Sequence, residues 1–416
     1  MTTNSRKHYG GIFLIFLTVS FVCLAAAMKE PSHSICYLAR TGDLASLKMR
    51  VARDPALVQE TTSSGGTPLH CAARGGQAEV IDYLVAQGAK VEARDEHDRT
   101  PLHWAADDGE AMAVKRLIAH GADVNARDDD GNTPLHRAAH VRRWVGEPIP
   151  LEREAQRFNT VKLLVAAGAE VNPRNDAVDD YEDETPLHLA AESNLPRVIE
   201  YLVEQETEIE ARDFDGKTPL IRAADNIHGS YEALKTLVRL GADPKARTKS
   251  SLSRRPSFNA LSRAAVWGHL DIVKFLLEQD VPPHYGSGSS EFSALFGAIG
   301  SASYSIGLGG KEEKQKIAER LAVIDLLANE MGGINEGVKG QFGTYDGTAL
   351  ELADEPYVIR HLLEKYPEEF SAENIEAKIN EVTEAGEKDS RRDRKRRAKT
   401  LQLLREALEA KQGSES

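Results

Sequence analysis

Apolar side chains recur along the chain at the spacing of a short amphipathic helix. Residues 80–85 (VIDYLV) and 272–277 (IVKFLL) each place four apolar side chains on one helical face. Several such stretches end at a Gly-Ala pair, and a short polar loop follows. These pairs stand at residues 88–89, 121–122, 168–169 and 241–242. The pattern predicts a series of short helices separated by turns rather than one long helix.

A second recurring feature is the string Thr-Pro-Leu-His. It occupies residues 67–70, 100–103, 133–136 and 185–188, and residues 218–221 replace only the histidine, with isoleucine. The first three copies start 33 residues apart, as do the last two. Threonine accepts a hydrogen bond from a free amide of the first helical turn, and proline suits the next position because it has no amide to satisfy. A fixed period of this size predicts a stacked array of helical units.

Small residues follow the string in most units. Paired alanines at 72–73, 105–106 and 264–265 permit close packing of two helices, and a nearby glycine ends the first helix. Each unit is therefore predicted to be a helix, a turn, a second helix and a polar loop.

The string and its period resemble those of the ankyrin repeat family. The resemblance implies an all-α solenoid of stacked helix-turn-helix units with β-turn finger loops. It also implies a concave surface of first helices and fingers that binds another protein. In the family the motif histidine bonds the backbone of a neighbouring unit, so His70, His103, His136 and His188 are expected to be structural rather than catalytic.

The sequence divides into four predicted regions. These are a signal peptide or N-terminal membrane anchor (1–28), a degenerate N-terminal capping repeat (33–66), about seven or eight ankyrin repeats (67–370) and a charged helical tail (371–416). Insertions are predicted near 140–157, 173–184, 248–257 and 285–316. Insertions in repeat proteins map to loops, often on the binding face.

The N-terminal region has the three parts of a secretory signal. Arg6 and Lys7 precede an uncharged run over residues 10–28, in which three alanines supply a cleavage pattern before Lys29. The run is also close to the length that spans a bilayer, so an uncleaved anchor remains open. Either way, the charge distribution predicts that the repeats lie outside the cytoplasm, secreted or periplasmic, or anchored to the membrane.

After cleavage two cysteines would remain, Cys36 and Cys71. They fall in the first helices of adjacent units, and packed helices lie about 8–10 Å apart. A disulfide requires Cα atoms within about 7 Å. The sequence therefore favours two buried free thiols.

The charge is −13 and the pI about 5.6, which argues against nucleic-acid binding. The basic run 391–397 is read either as a solvated helix covering the last unit or as a surface attracted to anionic lipid or an acidic partner. Asp95, Asp128 and Asp213 recur in the finger loops, where they are expected to bond loop amides. No catalytic or metal-binding motif occurs, so we expect a monomeric non-enzyme without cofactor or metal.

Candidate partner-binding residues are the variable positions that follow the motif and the paired alanines, together with finger tips and the third-unit insertions. They are Trp104, Asp107, Asp108, Asp129, Asp130, Arg137, Trp144, Asp179, Asp180, Leu189, Glu192, Phe214 and Arg222. Exposed tryptophan and arginine dominate interface energies, although Trp104 could equally pack against neighbouring first helices. We hypothesise that the acidic fingers meet a basic protein surface in a salt-sensitive association.

Two functions agree with these features. The first is a non-enzymatic scaffold outside the cytoplasm that binds a partner protein and inhibits or protects it. The alternative is a membrane-tethered adaptor that organises a protein assembly at the envelope surface. The sequence does not identify the partner.

Overall fold

The computed structural model describes residues 34–141, 150–176, 183–226, 228–248, 257–285, 292–300, 311–335, 348–384 and 391–414. Within these ranges the chain forms nine consecutive helix pairs and two further C-terminal helices. No helix in them has both the length and the apolar character needed to cross a bilayer. Residues 1–28, predicted as a signal peptide or anchor, lie outside the described residues.

The first helices of the nine pairs form one layer of the array. They are α1 (Ile35–Thr41), α3 (Pro68–Arg74), α5 (Pro101–Asp108), α7 (Pro134–Ala139), α9 (Pro186–Glu192), α11 (Pro219–Ala224), α13 (Ala260–Trp267), α15 (Ala294–Gly300) and α17 (Ala349–Leu352). Each contacts the first helix of the next unit. Their alanine pairs are fully buried between neighbours, which explains why small residues recur there.

The second helices form the other layer. They are α2 (Leu44–Arg53), α4 (Ala78–Ala86), α6 (Ala111–Ala119), α8 (Leu151–Ala166), α10 (Pro196–Glu204), α12 (Tyr231–Arg239), α14 (Leu270–Glu278), α16 (Lys311–Glu330) and α18 (Pro356–Lys365). Their apolar faces, such as Val80, Ile81 and Leu84 of α4, join one continuous core that runs through all nine pairs. A small antiparallel hairpin, β1 (His284–Tyr285) and β2 (Phe292–Ser293), precedes α15.

In four consecutive units the motif histidine joins one unit to the next. The Thr100 backbone N–H donates to Nδ1 of His103 at 3.1 Å, and Nε2 of His103 lies 3.0 Å from the carbonyl oxygen of Asn132, just before the next threonine. Since Nδ1 accepts a backbone N–H, Nε2 carries the proton and donates to that carbonyl. The same links join His70 to Arg99, His136 to Glu184 and His188 to Lys217, at 2.9–3.1 Å. The structural role expected for these histidines is confirmed.

Later units keep the start of the first helix with other side chains. In α13 the Asn259 side chain accepts from the Ser262 amide at 2.9 Å, and the Ser262 hydroxyl lies 3.2 Å from the Asn259 nitrogen. In α17, Thr348 and Glu351 make the corresponding reciprocal pair. Each pair satisfies two amides at the helix start, which fixes where the helix begins without the histidine.

The prediction of two free thiols is wrong, because Cys36 and Cys71 form a disulfide with Cα atoms 5.4 Å apart. The spacing of about 8–10 Å applies to helix axes. Each Cα lies about 2.3 Å from its own axis, so facing Cα atoms approach much more closely than the axes do. The disulfide therefore ties α1 of the first pair to α3 of the second.

The extended second helix α8 contains a buried arginine that bonds backbone carbonyls of other helices. Helix α8 begins well before its regular position, and Arg157 on it is 2% exposed. Its guanidinium donates to the carbonyl oxygens of Ala106 at 3.0 Å, Arg137 at 2.8 Å, and Asp107. Ala106 and Asp107 belong to α5 of the preceding unit, and Arg137 belongs to α7 of the same unit as α8. Arg157 thus ties the extended helix α8 to two successive first helices.

Two C-terminal helices, α19 (Ala372–Glu384) and α20 (Arg391–Ser414), close the array. Ile375 and Leu404 are buried in the common core. The Lys378 ammonium, 1% exposed, donates to the Glu351 carbonyl at 2.7 Å, and Arg396 pairs with Glu355 of the last unit at 3.1 Å. At least one cation of the basic run thus bonds the ninth pair.

Replacing His188 with glutamine should reveal how a histidine link responds to pH. Burial lowers the pKa of His188 to about 3, whereas an unfolded histidine titrates near 6.5. The unfolded chain therefore binds more protons below about pH 6.5, and the stability contributed by this link is lost as the pH falls from there towards 3. We expect His188→Gln to lower the free energy of unfolding by roughly 1–3 kcal/mol at pH 7.5. Urea denaturation followed by circular dichroism should show a smaller difference at pH 5, and a difference independent of pH would contradict the assignment.

Replacing Arg157 should be costly even when the positive charge is kept. A lysine cannot serve three carbonyl oxygens in the same geometry, so Arg157→Lys should lower the free energy of unfolding by roughly 2–4 kcal/mol. The control is Arg153→Lys on the exposed side of the same helix, which should change it by less than about 0.5 kcal/mol. Equal effects in urea denaturation would show that the guanidinium contacts contribute nothing.

Candidate functional site

The concave face contains most of the candidate binding residues that the structure describes. Trp104, Asp107 and Asp108 lie on α5, Arg137 on α7, and Glu192 and Arg222 on α9 and α11. Leu189 is only 7% exposed and belongs to the core. Trp144, Asp179 and Asp180 lie outside the described residues.

Trp104 packs against a neighbouring first helix, one of the two interpretations of this residue. Its indole N–H donates to Oδ2 of Asp95 at 2.8 Å, and its ring meets the His70 imidazole edge-on with centroids 5.3 Å apart. Asp95 also accepts from Arg99 at 2.8 Å. Burial acts to raise the pKa of Asp95, but its bonds to Arg99 and Trp104 outweigh burial and hold that pKa below the usual value. Trp104 is therefore fixed in place, half-buried, with part of its ring facing the concave side.

Beside Trp104 lies a pocket of about 280 Å³ formed by three consecutive units. It is lined by Ser64, Arg74, Arg99, His103, Trp104, Asp107, Asp108 and Arg137. Arg74 at the end of α3 donates to Asp108 at the end of α5 in the next unit, at 3.0 Å. Among the described residues, the Asp107 carboxylate makes no hydrogen bond or ion pair.

The two arginines chosen from the sequence are already engaged within the chain. Arg137 donates to Asp128 at 2.9 Å and lies 3.5 Å from Asp130. Arg222 pairs with the buried Glu184 and lies 3.5 Å from Glu192. Burial acts to lower the pKa of Arg222, yet the carboxylates of Glu184 and Glu192 raise it above the usual value. These arginines stabilise the concave face and present only part of their surface to a partner.

Acidic and aromatic groups remain exposed at the finger tips. Glu96, Asp98, Asp129 and Asp130 are exposed, and Phe214 is 37% exposed. The Asp129 carboxylate lies 3.2 Å from Nδ1 of His97 on the preceding finger. Asp128, Asp129 and Asp130 each bring one carboxylate oxygen within 4.8 Å of the others. Because Asp128 is bonded by Arg137 and by the Asn132 amide, this cluster does not by itself make a metal site.

Family models agree with this geometry. The model described as "Ankyrin repeats (3 copies)" matches residues 152–248, "Ankyrin repeats (many copies)" matches 102–141 and "Ankyrin repeat" matches 64–96. This chain is a member of the ankyrin repeat family. The predicted fold, an all-α ankyrin-repeat solenoid, is confirmed.

Several curated proteins are similar to parts of the ankyrin array. It is 31% identical over 179 residues to the nuclear factor NF-kappa-B p105 subunit of Gallus gallus and 26% identical over 201 residues to an L-asparaginase of Dirofilaria immitis. A stretch of 62 residues is 36% identical to the 26S proteasome non-ATPase regulatory subunit 10 of Mus musculus. These matches cover 43%, 47% and 15% of this chain. They span only 16%, 31% and 27% of the relatives' own lengths, so the similarity concerns the repeat region. Ankyrin arrays are protein-interaction scaffolds, and the chain carries that scaffold.

A row of arginines at the base of the ankyrin fingers was missed in the sequence. Each guanidinium donates to the backbone carbonyl of the arginine in the next finger. The links run from Arg94 to Arg127, from Arg127 to Arg174, from Arg174 to Arg212 and from Arg212 to Arg247, at 2.5–2.7 Å. The signal was present in the recurring Ala-Arg-Asp of residues 93–95, 126–128 and 211–213. These links fix neighbouring fingers relative to one another, so the ankyrin surface is preorganised for binding.

Asp213 departs from the pattern of the other ankyrin fingers. Asp128 accepts from the arginine nine residues later, but the equivalent Arg222 bonds Glu184 instead. Asp213 is 8% exposed and accepts the Lys217 amide at 2.8 Å. Burial raises the pKa of Asp213 to about 6, although the Lys217 amide and nearby cations oppose the shift. The Asp213 finger therefore keeps the hydrogen bond from its backbone amide, but its buried carboxylate lacks the arginine contact that Asp128 has.

Replacing Asp213 with asparagine should stabilise the protein at neutral and alkaline pH. Asn175 already fills this position in the preceding finger and accepts the Glu184 amide at 2.6 Å. Because the folded pKa is raised, the cost of the Asp213 charge is fully present above about pH 6 and disappears towards pH 4. We expect a gain in unfolding free energy of roughly 2 kcal/mol at pH 8, shrinking at lower pH.

The matched control is Asp128→Asn, which should destabilise at pH 8 because it leaves the largely buried Arg137 without its closest carboxylate. Both variants can be measured by urea denaturation across pH 4–8. Destabilisation by Asp213→Asn at pH 8 would show that this carboxylate is well solvated or paired.

Proposed function

We propose that this chain is a non-enzymatic ankyrin scaffold that acts outside the cytoplasm. It binds one partner protein through its concave face and finger loops, and by covering that partner it inhibits or protects it.

The observation that carries this proposal is the arginine row at the finger bases, which holds successive fingers in one arrangement. A surface that is already ordered loses little conformational entropy when it binds. The exposed groups that this row holds in place include Asp129, Asp130 and Phe214. An aromatic side chain beside charged groups suits the recognition of a protein surface.

The histidines of the array support a binding rather than a catalytic role. Burial lowers the pKa of His103 and His136 to about 4, and both rings are fully engaged between a threonine amide and a carbonyl. An imidazole held in this way has no free nitrogen for proton transfer with a substrate.

Two observations support a location outside the cytoplasm. Residues 1–28 have the charged, apolar and small-residue parts of a signal peptide. The Cys36–Cys71 disulfide suits an oxidising compartment, because cytosolic reductants keep most thiols reduced.

The charge of the fingers indicates the kind of partner. The chain carries a net charge of −13, and Glu96, Asp98, Asp129 and Asp130 are exposed on neighbouring fingers. A basic protein surface would complement this row. Association should then be steered by charge and weaken as salt increases.

A pull-down from an envelope or secreted fraction tests this function. The purified chain is immobilised beside an Asp129→Lys, Asp130→Lys variant and a control carrying Glu79→Lys and Glu204→Lys. The control makes the same change of charge at exposed positions on second helices α4 and α10. We expect one basic protein in stoichiometric amount, recovered by the wild type and the control but at least tenfold less by the finger variant.

The recovered protein should also dissociate when salt is raised from about 50 to 500 mM. Failure to recover any protein would contradict the scaffold function. Equal recovery by the finger variant would show that the acidic tips contribute only to solubility.

A further inference from the structure

We propose that the pocket beside Trp104 receives one cationic side chain of the partner, with Asp107 as its ion-pair partner and Trp104 as its wall. This inference rests on the proposed scaffold function and names the group that the concave face recognises.

The charges around the pocket favour a cation. Arg74, Arg99 and Arg137 line it, and each is paired with a carboxylate of the chain, Asp108, Asp95 and Asp128 respectively. With Asp107, four carboxylates stand against three guanidinium groups. Buried His103 adds no charge at neutral pH because burial lowers its pKa to about 4. The lining thus contains one carboxylate, Asp107, that makes no hydrogen bond or ion pair with a described residue, and the charges of Arg137 and Arg157 act on it without a direct contact.

An anionic ligand would fit this arrangement poorly, although three arginines line the pocket. To bind it, each guanidinium would have to leave its own carboxylate, and Asp95 is the bonding partner of both Arg99 and Trp104. The ligand would also lie beside the unpaired Asp107. Separating established ion pairs in a partly buried site costs more than a new contact of the same kind returns.

Trp104 provides a wall suited to a long basic side chain. Its ring is held by Asp95 and His70, and the guanidinium groups of Arg74 and Arg99 already lie 5.6 and 5.4 Å from its centre. An aromatic ring attracts cations and also packs against the methylene groups of lysine or arginine. The ring thus covers the stem of the incoming side chain while its charged end reaches Asp107.

The size and lining of the pocket point to a single side chain. A volume of about 280 Å³ lies at the lower limit of sites for small-molecule ligands, which span about 300–1,000 Å³ and are mostly apolar. This pocket is lined mainly by charged and polar groups. One anchoring side chain in such a depression is typical of protein interfaces.

Short peptides test the pocket without knowledge of the partner. The probes are acetyl-Gly-Arg-Gly-amide and its citrulline analogue, which has nearly the same shape without the charge. The readout is the indole N–H resonance of Trp104 in the full chain labelled with ¹⁵N-tryptophan, assigned by Trp104→Phe. We expect saturable shifts with the arginine peptide and affinity about three- to fivefold weaker with citrulline, as for a partly exposed ion pair.

Asp107→Asn should weaken the arginine peptide by the same factor, and Glu79→Gln, which removes one exposed carboxylate from α4, should leave it unchanged. Equal melting temperatures would show that both variants fold.

Three results would each overturn the proposal. They are equal affinity for the arginine and citrulline peptides, an equal loss of affinity in Asp107→Asn and Glu79→Gln, and no shift of the Trp104 indole resonance. A partner captured equally well by Asp107→Asn would leave the scaffold function standing and remove only this pocket. Asp107-dependent peptide binding without any captured partner would support the pocket and reject the scaffold function.

Discussion

The hydrogen bond from a buried histidine to the carbonyl at the start of the next unit is the constraint on which the N-terminal part of the array, from His70 to Lys217, depends. One imidazole closes the start of its own helix through Nδ1 and fixes the next unit through Nε2. The bond requires a neutral ring, which burial ensures. The first helices can then pack through alanine, and the second helices share one continuous apolar core. Where Asn259 and Ser262 replace the threonine and histidine, the helix start survives, and a hydrogen bond from Arg320 to the Val266 carbonyl joins this unit to the next.

The same regularity determines what the concave face offers a partner. Arginines at the finger bases connect successive fingers, and Arg74, Arg137 and Arg222 bond carboxylates within the array. Much of the charge visible in the sequence is therefore used for internal order. In the proposed function, recognition therefore falls to the smaller set of groups that this order exposes, chiefly the finger tips and Asp107. Groups that are already held in place raise affinity because little conformational entropy is lost when they bind.

Irregular units are accommodated by specific side chains. Helix α8 and helix α16 both begin early, and each carries a buried arginine, Arg157 or Arg320, that bonds carbonyls near the ends of first helices. Each arginine thereby ties its extended second helix to the first helix of the preceding unit. At the N-terminal end of the array, the Cys36–Cys71 disulfide ties the first pair to the second.

The sequence by itself determined the family, the repeat, the helix starts and the role of the motif histidines, because these follow from local capping chemistry repeated at a fixed period. Only the tertiary structure decided what depends on contacts between units. It brought Cys36 within 5.4 Å of Cys71, placed Leu189 in the core, and turned Arg222 away from Asp213 towards Glu184. It also distinguished the carboxylate of Asp107, which makes no ion pair with a described residue, from that of the adjacent Asp108, which pairs with Arg74. Periodicity specifies where a side chain lies in its own unit, whereas its partner in the next unit depends on the distance and rotation between the two.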